Sequence, residues 1–179
     1  MLVTALIVLA AYLWGALPSA YLAGRHLKGI DIRRYGSGNL GATNVMDHVG
    51  SWTGFGLGVF DTVGKGTLPV IAAGLMGQIL AVQALAGLAA MAGHNWSPYV
   101  GFTGGRGVAT AIGVLLGLSM WWEMVTGAFM IGIVGRVLTR DTAVWTMMSA
   151  LALPLLAYLY GEPHELVYMS AGIAVLLAA

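Results

Sequence analysis

The sequence predicts an all-α integral membrane protein, a single polytopic domain over residues 1–179 whose helices are joined by glycine-rich polar loops. Hydrophobic residues fill 59% of the chain and charged residues 8%, whereas soluble domains carry about 25% charged residues. Apolar runs recur at the length of a bilayer-crossing helix, about 20 residues. Between them stand two segments dense in glycine, hydroxyl, amide and arginine side chains, 29–44 and 101–110. Cysteine is absent, which excludes a disulfide framework, a thiolate nucleophile and a cysteine metal cage. His26, His48, His94 and His164 lie far apart without an HExxH-like spacing, so neither a metal nor a cofactor is expected. A net charge of +1 offers nothing to a nucleic-acid partner.

Leu2 to Ala23 is long enough to span and lacks a basic leader and a cleavage site, so it reads as a retained helix. Pro18 is expected to kink it and to free backbone groups for other partners. Arg25, Lys28, Arg33 and Arg34, half of the eight Lys and Arg residues, follow at once. By the positive-inside rule this loop is cytoplasmic and the N-terminus lies outside. Ser51 to Phe60 is too short to span and reads as a re-entrant or half-length helix that delivers Asp61 and Lys65 to membrane depth or to the interface. A charged pair there is a functional candidate; the competing reading is a structural i, i+4 salt bridge at a helix end. Thr67 to Ala92 is either one tilted helix or two shorter ones with a turn near Gly77.

Past His94, the segment from Gly101 opens a helix that continues from Ile112 to Met120. Trp121 and Trp122 resemble an interfacial belt, and Glu123 begins the return. Val125 to Leu138, Thr142 to Tyr160 and Leu166 to Ala179 complete the apolar segments. Glu162, His164 and Glu165 between the last two read as a solvated turn rather than an acid/base cluster, with Tyr158, Tyr160 and Tyr168 as flanking anchors.

Residues 29–44, Gly-Ile-Asp-Ile-Arg-Arg-Tyr-Gly-Ser-Gly-Asn-Leu-Gly-Ala-Thr-Asn, hold the chemistry best suited to an anion. Gly36, Gly38 and Gly41 allow close backbone approach, Ser37, Asn39, Thr43 and Asn44 supply donors, and Arg33 and Arg34 supply charge. Asp31 is expected to pair with a neighbouring arginine and shape the loop. A second cradle is expected from Gly104, Gly105, Arg106, Gly107 and Thr110, where backbone N–H groups open a helix beside a guanidinium. The competing readings are a turn former for Ser37 and interfacial packing for His94.

These motifs resemble the bacterial acyl-phosphate:glycerol-3-phosphate acyltransferases, the family called PlsY. The resemblance rests on Gly36-Ser37-Gly38-Asn39-Leu40-Gly41-Ala42-Thr43-Asn44 after Gly29-Ile30-Asp31-Ile32-Arg33. It rests also on Gly93-His94, Pro98, and Phe102-Thr103-Gly104-Gly105-Arg106-Gly107-Val108-Ala109-Thr110. With the kinked first helix, it covers about two-thirds of the chain. It implies about seven transmembrane or half-spanning helices and an active site at the cytoplasmic face of the bacterial inner membrane. The implied reaction moves a fatty acyl group from acyl phosphate to the 1-hydroxyl of glycerol 3-phosphate, giving lysophosphatidic acid for phospholipid synthesis without metal, acyl-CoA or covalent intermediate. Acyl phosphate, glycerol 3-phosphate and the surrounding membrane lipids are the expected partners. Where the family carries Arg, this chain has Asp47; where it carries Lys, Thr103 and Arg106; and the family's Asp-x-x-Lys-Gly is one residue longer in Asp61-Thr62-Val63-Gly64-Lys65-Gly66. The family's basic tail has no counterpart before Ala179.

The resemblance assigns phosphate binding to Ser37, Gly38, Asn39, Gly41 and Thr43, with Arg33 or Arg34 neutralising charge. Lys65 and Arg106 are assigned to a second phosphate and Asn44 or His94 to orienting the reacting groups, while the hydroxyl proton is expected to pass to a substrate phosphate, to His94 or to Asp61. A non-catalytic lipid-phosphate-binding paralogue would keep the same cradles. A small transporter or channel would also line its path with glycine-rich polar loops, but it calls for an internal repeat that the sequence does not carry.

Overall fold

The computed structural model describes residues 1–179 as helices joined by tight turns and two longer loops. The first apolar run does not merely kink. Helix α1 (Leu2–Gly15) stops before Pro18 and α2 (Ser19–Lys28) restarts after it. The break frees the carbonyl of Ala16, which accepts a 2.6 Å hydrogen bond from Ser97 Oγ. Helix α2 closes on Gly29 in the left-handed conformation, with Arg25, His26 and Lys28 in its last turn, where cations favour the helix dipole.

After the loop and the short α3 (Ala42–His48), the expectation of a half-length helix fails. Helix α4 (Ser51–Val59) runs through a π-helical stretch, Phe60–Thr67, into α5 (Leu68–Leu75) without a break. Asp61 and Lys65 therefore sit in the middle of a long helix rather than at its end. They interrupt hydropathy but not the backbone, because their charges neutralise each other at 2.8 Å. The wider π turn leaves carbonyls that other side chains engage: Trp14 Nε1 donates to Gly64 at 2.7 Å, and Thr67 Oγ1 donates to Thr62 at 3.3 Å.

Of the two readings for Thr67 to Ala92, the broken one holds. Gly77, at φ +71°, turns the chain between α5 and α6 (Leu80–Asn95). Helices α7 (Val108–Gly117), α8 (Trp121–Phe129), α9 (Thr142–Leu159) and α10 (His164–Ala178) follow. Helix α8 continues through a second π-helical stretch, Met130–Leu138. Six rods run 14 residues or more, namely α1, the rod from α4 to α5, α6, the rod begun by α8, α9 and α10, while α2, α3 and α7 are shorter, at 10, 7 and 10 residues. Three stretches, Leu2–Lys28, Trp121–Leu138 and Thr142–Leu159, are long and apolar enough to cross a membrane, whereas α7 has only 10 residues.

The main core joins α5, α6, α7, α9 and α10 through Val70, Met91, Val114, Leu153, Met169 and Ile173. A separate cluster, Ala20, Ile32, Leu40, Val45, Val49 and Val100, pins the first polar loop onto α2, α3 and the second loop. Helices α1 and α6 approach almost to backbone contact: a side chain at Gly93 would collide with the Tyr12 carbonyl, and one at Gly15 with that of Ala90. Small residues at such a crossing let membrane helices pack closely. Gly93→Ala is therefore expected to destabilise the protein by roughly 1–3 kcal/mol, read as a lower unfolding temperature in detergent, whereas Gly127→Ala, which meets nothing within 4 Å, should leave it unchanged.

Candidate active site

The first polar loop is built around a clasp. Asn44 is buried, and its Nδ2 donates to the carbonyls of Ile32 at 3.2 Å, Tyr35 at 3.1 Å and Asn39 at 3.0 Å. Its amide protons are committed to the loop backbone, so the expectation that Asn44 orients the reacting groups is not what the geometry provides. Gly36, at φ +53°, allows this wrap: a side chain there would strike Asn44 Oδ1 and the His48 ring.

Asp31 and Arg33 form the outer brace. The guanidinium meets Asp31 through two bonds of 2.9 and 2.7 Å, donates to the Val100 carbonyl at 3.1 Å, and lies over the Tyr21 ring. Hydrogen bonding to Arg33 holds the Asp31 carboxyl at about 2, below its ordinary 3.8, and Asp31 in turn raises Arg33. Leu40 N completes the link between the loops by donating to the Gly104 carbonyl at 3.2 Å. Arg33 thus serves the loop rather than the cavity, while Arg34 turns outward beside Arg25 and Tyr35.

Deeper inside, three side chains from three helices converge on one ammonium. Lys65 Nζ lies 2.8 Å from Asp61 Oδ1, 2.9 Å from Ser19 Oγ and 3.4 Å from His94 Nδ1. Ser19 Oγ is also 3.4 Å from Asp61 Oδ1. Asp61, Lys65 and His94 are 2%, 3% and 6% exposed, so the charges are desolvated and depend on one another. An ammonium has three protons, and all three are engaged. The expectation that Lys65 contacts a second phosphate therefore fails in this geometry: Lys65 stands behind Asp61 and His94.

Between the loops and this cluster lies a cavity of about 800 Å³. Of the expected site residues it collects Gly36, Ser37, Asn39, Gly41, Thr43, Asn44, Asp61, His94, Arg106 and Gly107. Asp47 faces the same space, and Phe55, Val59, Val63 and Ile112 make its apolar wall. Arg33, Arg34, Lys65 and Thr110 do not line it, and the Thr110 hydroxyl is buried inside the packing without a partner. Gly38, Gly104 and Gly105 lie instead on an adjoining cleft that shares Ser37, Asn39 and Arg106. Gly105 packs so tightly on the imidazole that a side chain there would collide with His94 Nε2.

Sequence reading missed Ser19, whose only signal is a hydroxyl placed directly after the Pro18 break. It also passed over Glu123, which is 1% exposed with both carboxylate oxygens unpartnered. Burial, and secondarily the Glu123 carboxylate, raise the pKa of Glu162 in the turn before α10. His164 and Glu165 remain exposed, as a solvated turn requires.

A family model described as glycerol-3-phosphate acyltransferase matches residues 5–179. The chain belongs to the glycerol-3-phosphate acyltransferase family. It is 42% identical over 170 residues to the glycerol-3-phosphate acyltransferase of Parasynechococcus marenigrum (strain WH8102), covering 94% of this chain and 79% of that one. The enzyme of Synechococcus sp. (strain CC9902) is 43% identical over 173 residues, with coverage of 95% and 84%. The crystal structure of PlsY (YgiH), an integral membrane glycerol 3-phosphate acyltransferase, in its glycerol 3-phosphate form superposes with a TM-score of 0.86 at 30% identity, over 98% of this chain and 86% of that one. Its lysophosphatidic acid form gives a TM-score of 0.83 at the same identity. In this acyltransferase the π-helical stretch spans Asp61-Thr62-Val63-Gly64-Lys65-Gly66, the segment longer by one residue than Asp-x-x-Lys-Gly. A π turn holds an added residue inside a continuous helix, so Asp61 and Lys65 still meet.

Two outcomes test this construction. Asn44→Ala leaves three loop carbonyls without their donor and should cost roughly 1–3 kcal/mol of stability, seen as a lower unfolding temperature together with faster proteolysis within 29–44. Because Asp31 has a lower pKa folded than unfolded, its pairing stabilises the loop above pH about 4 and that contribution disappears as pH falls through about 2. Pepsin cleavage of the loop should consequently accelerate from pH 4 to pH 2 in the parent protein, and show no such step in Asp31→Asn.

Proposed function

We propose that this chain transfers a fatty acyl group from acyl phosphate to the 1-hydroxyl of glycerol 3-phosphate and releases lysophosphatidic acid and phosphate. The carrying observation is the single cavity that brings Arg106, the hydroxyl and amide side chains of Ser37, Asn39 and Thr43, and the Asp61 and His94 side chains against an apolar wall. Polar and apolar halves in one cavity suit a phosphorylated polyol meeting a phosphate-headed acyl chain. Membership in a family whose relatives carry the same activity in their names supports the acceptor; the acyl phosphate donor rests on the resemblance of the two glycine-rich motifs.

Acyl phosphate is already activated, so no covalent intermediate is called for. The glycerol hydroxyl oxygen attacks the acyl carbonyl carbon, the bond from that carbon to the phosphate oxygen breaks, and the hydroxyl proton ends on a phosphate oxygen of the substrates. Holding the two reactants in line supplies roughly 7–11 kcal/mol of the barrier reduction. Ser37, Asn39 and Thr43 hold one phosphate, Arg106 with the backbone at Gly107 holds the other, and Gly105 backs the His94 imidazole. Arg33 and Asn44 serve by holding the loop, and Arg34 by its field at the mouth. The basic flank at Arg25, Lys28, Arg33 and Arg34, with Arg136 and Arg140 after α8, supports a cytoplasmic site in the inner membrane and an N-terminus outside.

Purified protein in detergent, given palmitoyl phosphate and labelled glycerol 3-phosphate, is expected to form lysophosphatidic acid; no product above a Ser37→Ala, Arg106→Ala control would overturn the reading. Arg106→Ala should lower kcat/KM by about 10²-fold. Asp47→Arg replaces an anion that faces both phosphates and should lower KM for glycerol 3-phosphate by about fivefold, the equivalent of about 1 kcal/mol.

A further inference from the structure

We propose that Ser19 is a positioning residue: through Lys65 it fixes the neutral His94 imidazole with its proton on Nε2, so that His94 works as a hydrogen-bond donor to the reacting oxygens and not as a base. The inference deepens the acyl-transfer reading and rests on it for its catalytic consequence, but not for the proton placement.

The placement follows from counting protons. A charged lysine only donates, and its three acceptors are Asp61 Oδ1, Ser19 Oγ and His94 Nδ1. Asp61 lies 3.7 Å from His94 Nδ1, beyond hydrogen-bond reach, whereas Lys65 lies at 3.4 Å. The Nδ1 lone pair is thus the one engaged, and a neutral ring with an acceptor Nδ1 carries its proton on Nε2. Ser19 accepts from Lys65 and passes its own proton toward Asp61 at 3.4 Å, which gives every hydrogen in the cluster a direction. Nε2 makes no hydrogen bond within the protein and packs beside Gly105, while His94 itself lines the cavity. A preorganised N–H on a ring that lines a substrate cavity is suited to a developing oxyanion.

Ser19 matters because the Lys65–His94 contact is the longest of the three. Without the serine hydroxyl the ammonium is free to move toward Asp61, the nearest opposite charge. Nδ1 then loses its donor, and both tautomers and the imidazolium become available. Asp61 and Lys65 are the charged groups beside the ring, 3.7 and 3.4 Å from Nδ1, and Arg106 and Asp47 line the same cavity. Ser19 itself lies behind them, at the first position of α2, and does not line the cavity.

The test combines a spectroscopic and a kinetic readout on the full chain in detergent. Histidine ¹⁵N spectra, with His94→Gln to assign the signal, should show the Nε2–H tautomer alone between pH 6 and 8 in the parent and in Ser19→Thr. Ser19→Ala should show a mixture. Acyl transfer by Ser19→Ala should fall roughly 10- to 100-fold in kcat with KM for glycerol 3-phosphate changed less than about threefold, an acid limb should appear in its pH profile, and Ser19→Thr should recover most of the rate. His94→Gln, whose amide donates but is no base, should retain more activity than His94→Ala. A parent spectrum showing Nδ1–H, or Ser19→Ala with the parent tautomer and parent kcat, would overturn the proposal. Absence of any acyl transfer by the parent, with the tautomer as expected, would instead overturn the assigned reaction and leave the proton placement standing.

Discussion

A lysine ammonium cannot be left bare at membrane depth, and the architecture around Lys65 answers that constraint. Its three protons reach Asp61 on its own helix, Ser19 at the start of α2 and His94 near the end of α6. Removing one partner of a buried ion pair costs about 3–5 kcal/mol because the other charge remains stranded. Positions that look independent in sequence, the break at Pro18, the π turn and the close α1–α6 crossing, serve the same end. The break places Ser19 at a helix start facing inward, the π turn keeps Asp61 and Lys65 in register, and Gly93 lets α6 come near enough for His94 to arrive.

The polar loops are held by different means. The first folds over Asn44 and is braced by Arg33 and Asp31, and its apolar residues Ile32 and Leu40 are sealed against α2, α3 and Val100. Side chains that the sequence offers as ligands are divided by this construction into those that shape the loop and those left facing the cavity. Ser37, Thr43 and Arg106 remain exposed, whereas Asn44 is consumed by backbone carbonyls. Rigid backing with open donors is the arrangement that orients substrates without needing to reorganise during reaction.

The family's two glycine-rich motifs were legible because they combine residue types that few structural demands require together. While the turn at Gly77 was one of two readings left open, the membrane class, the pairing of Asp31 with arginine, and 10 of the 21 residues that line the cavity were legible too. The continuity of α4 into α5 was not. Asp61, Gly64 and Lys65 lower local hydropathy, and a hydropathy reading has no means of knowing that the two charges cancel within the same turn. Ser19 escaped for a related reason: one serine after a proline carries no periodic signal, and its meaning comes from Lys65, 46 positions away. Glu123 likewise passed as the polar start of a helix, although it is buried with both carboxylate oxygens unpartnered.

The sequence by itself determined that the chain is an all-α membrane protein of this acyltransferase family, and which loops carry anion-binding chemistry, because composition and local motifs are properties of contiguous residues. Tertiary structure alone decided which of those residues face the cavity. Arg33 against Arg106, Asn44 against Thr43, and Lys65 against His94 are pairs of similar local promise, separated only by which carbonyls and carboxylates the fold brings within about 3 Å. Hydrogen-bond capacity is finite, and a side chain whose donors are spent on the scaffold has none left for a substrate.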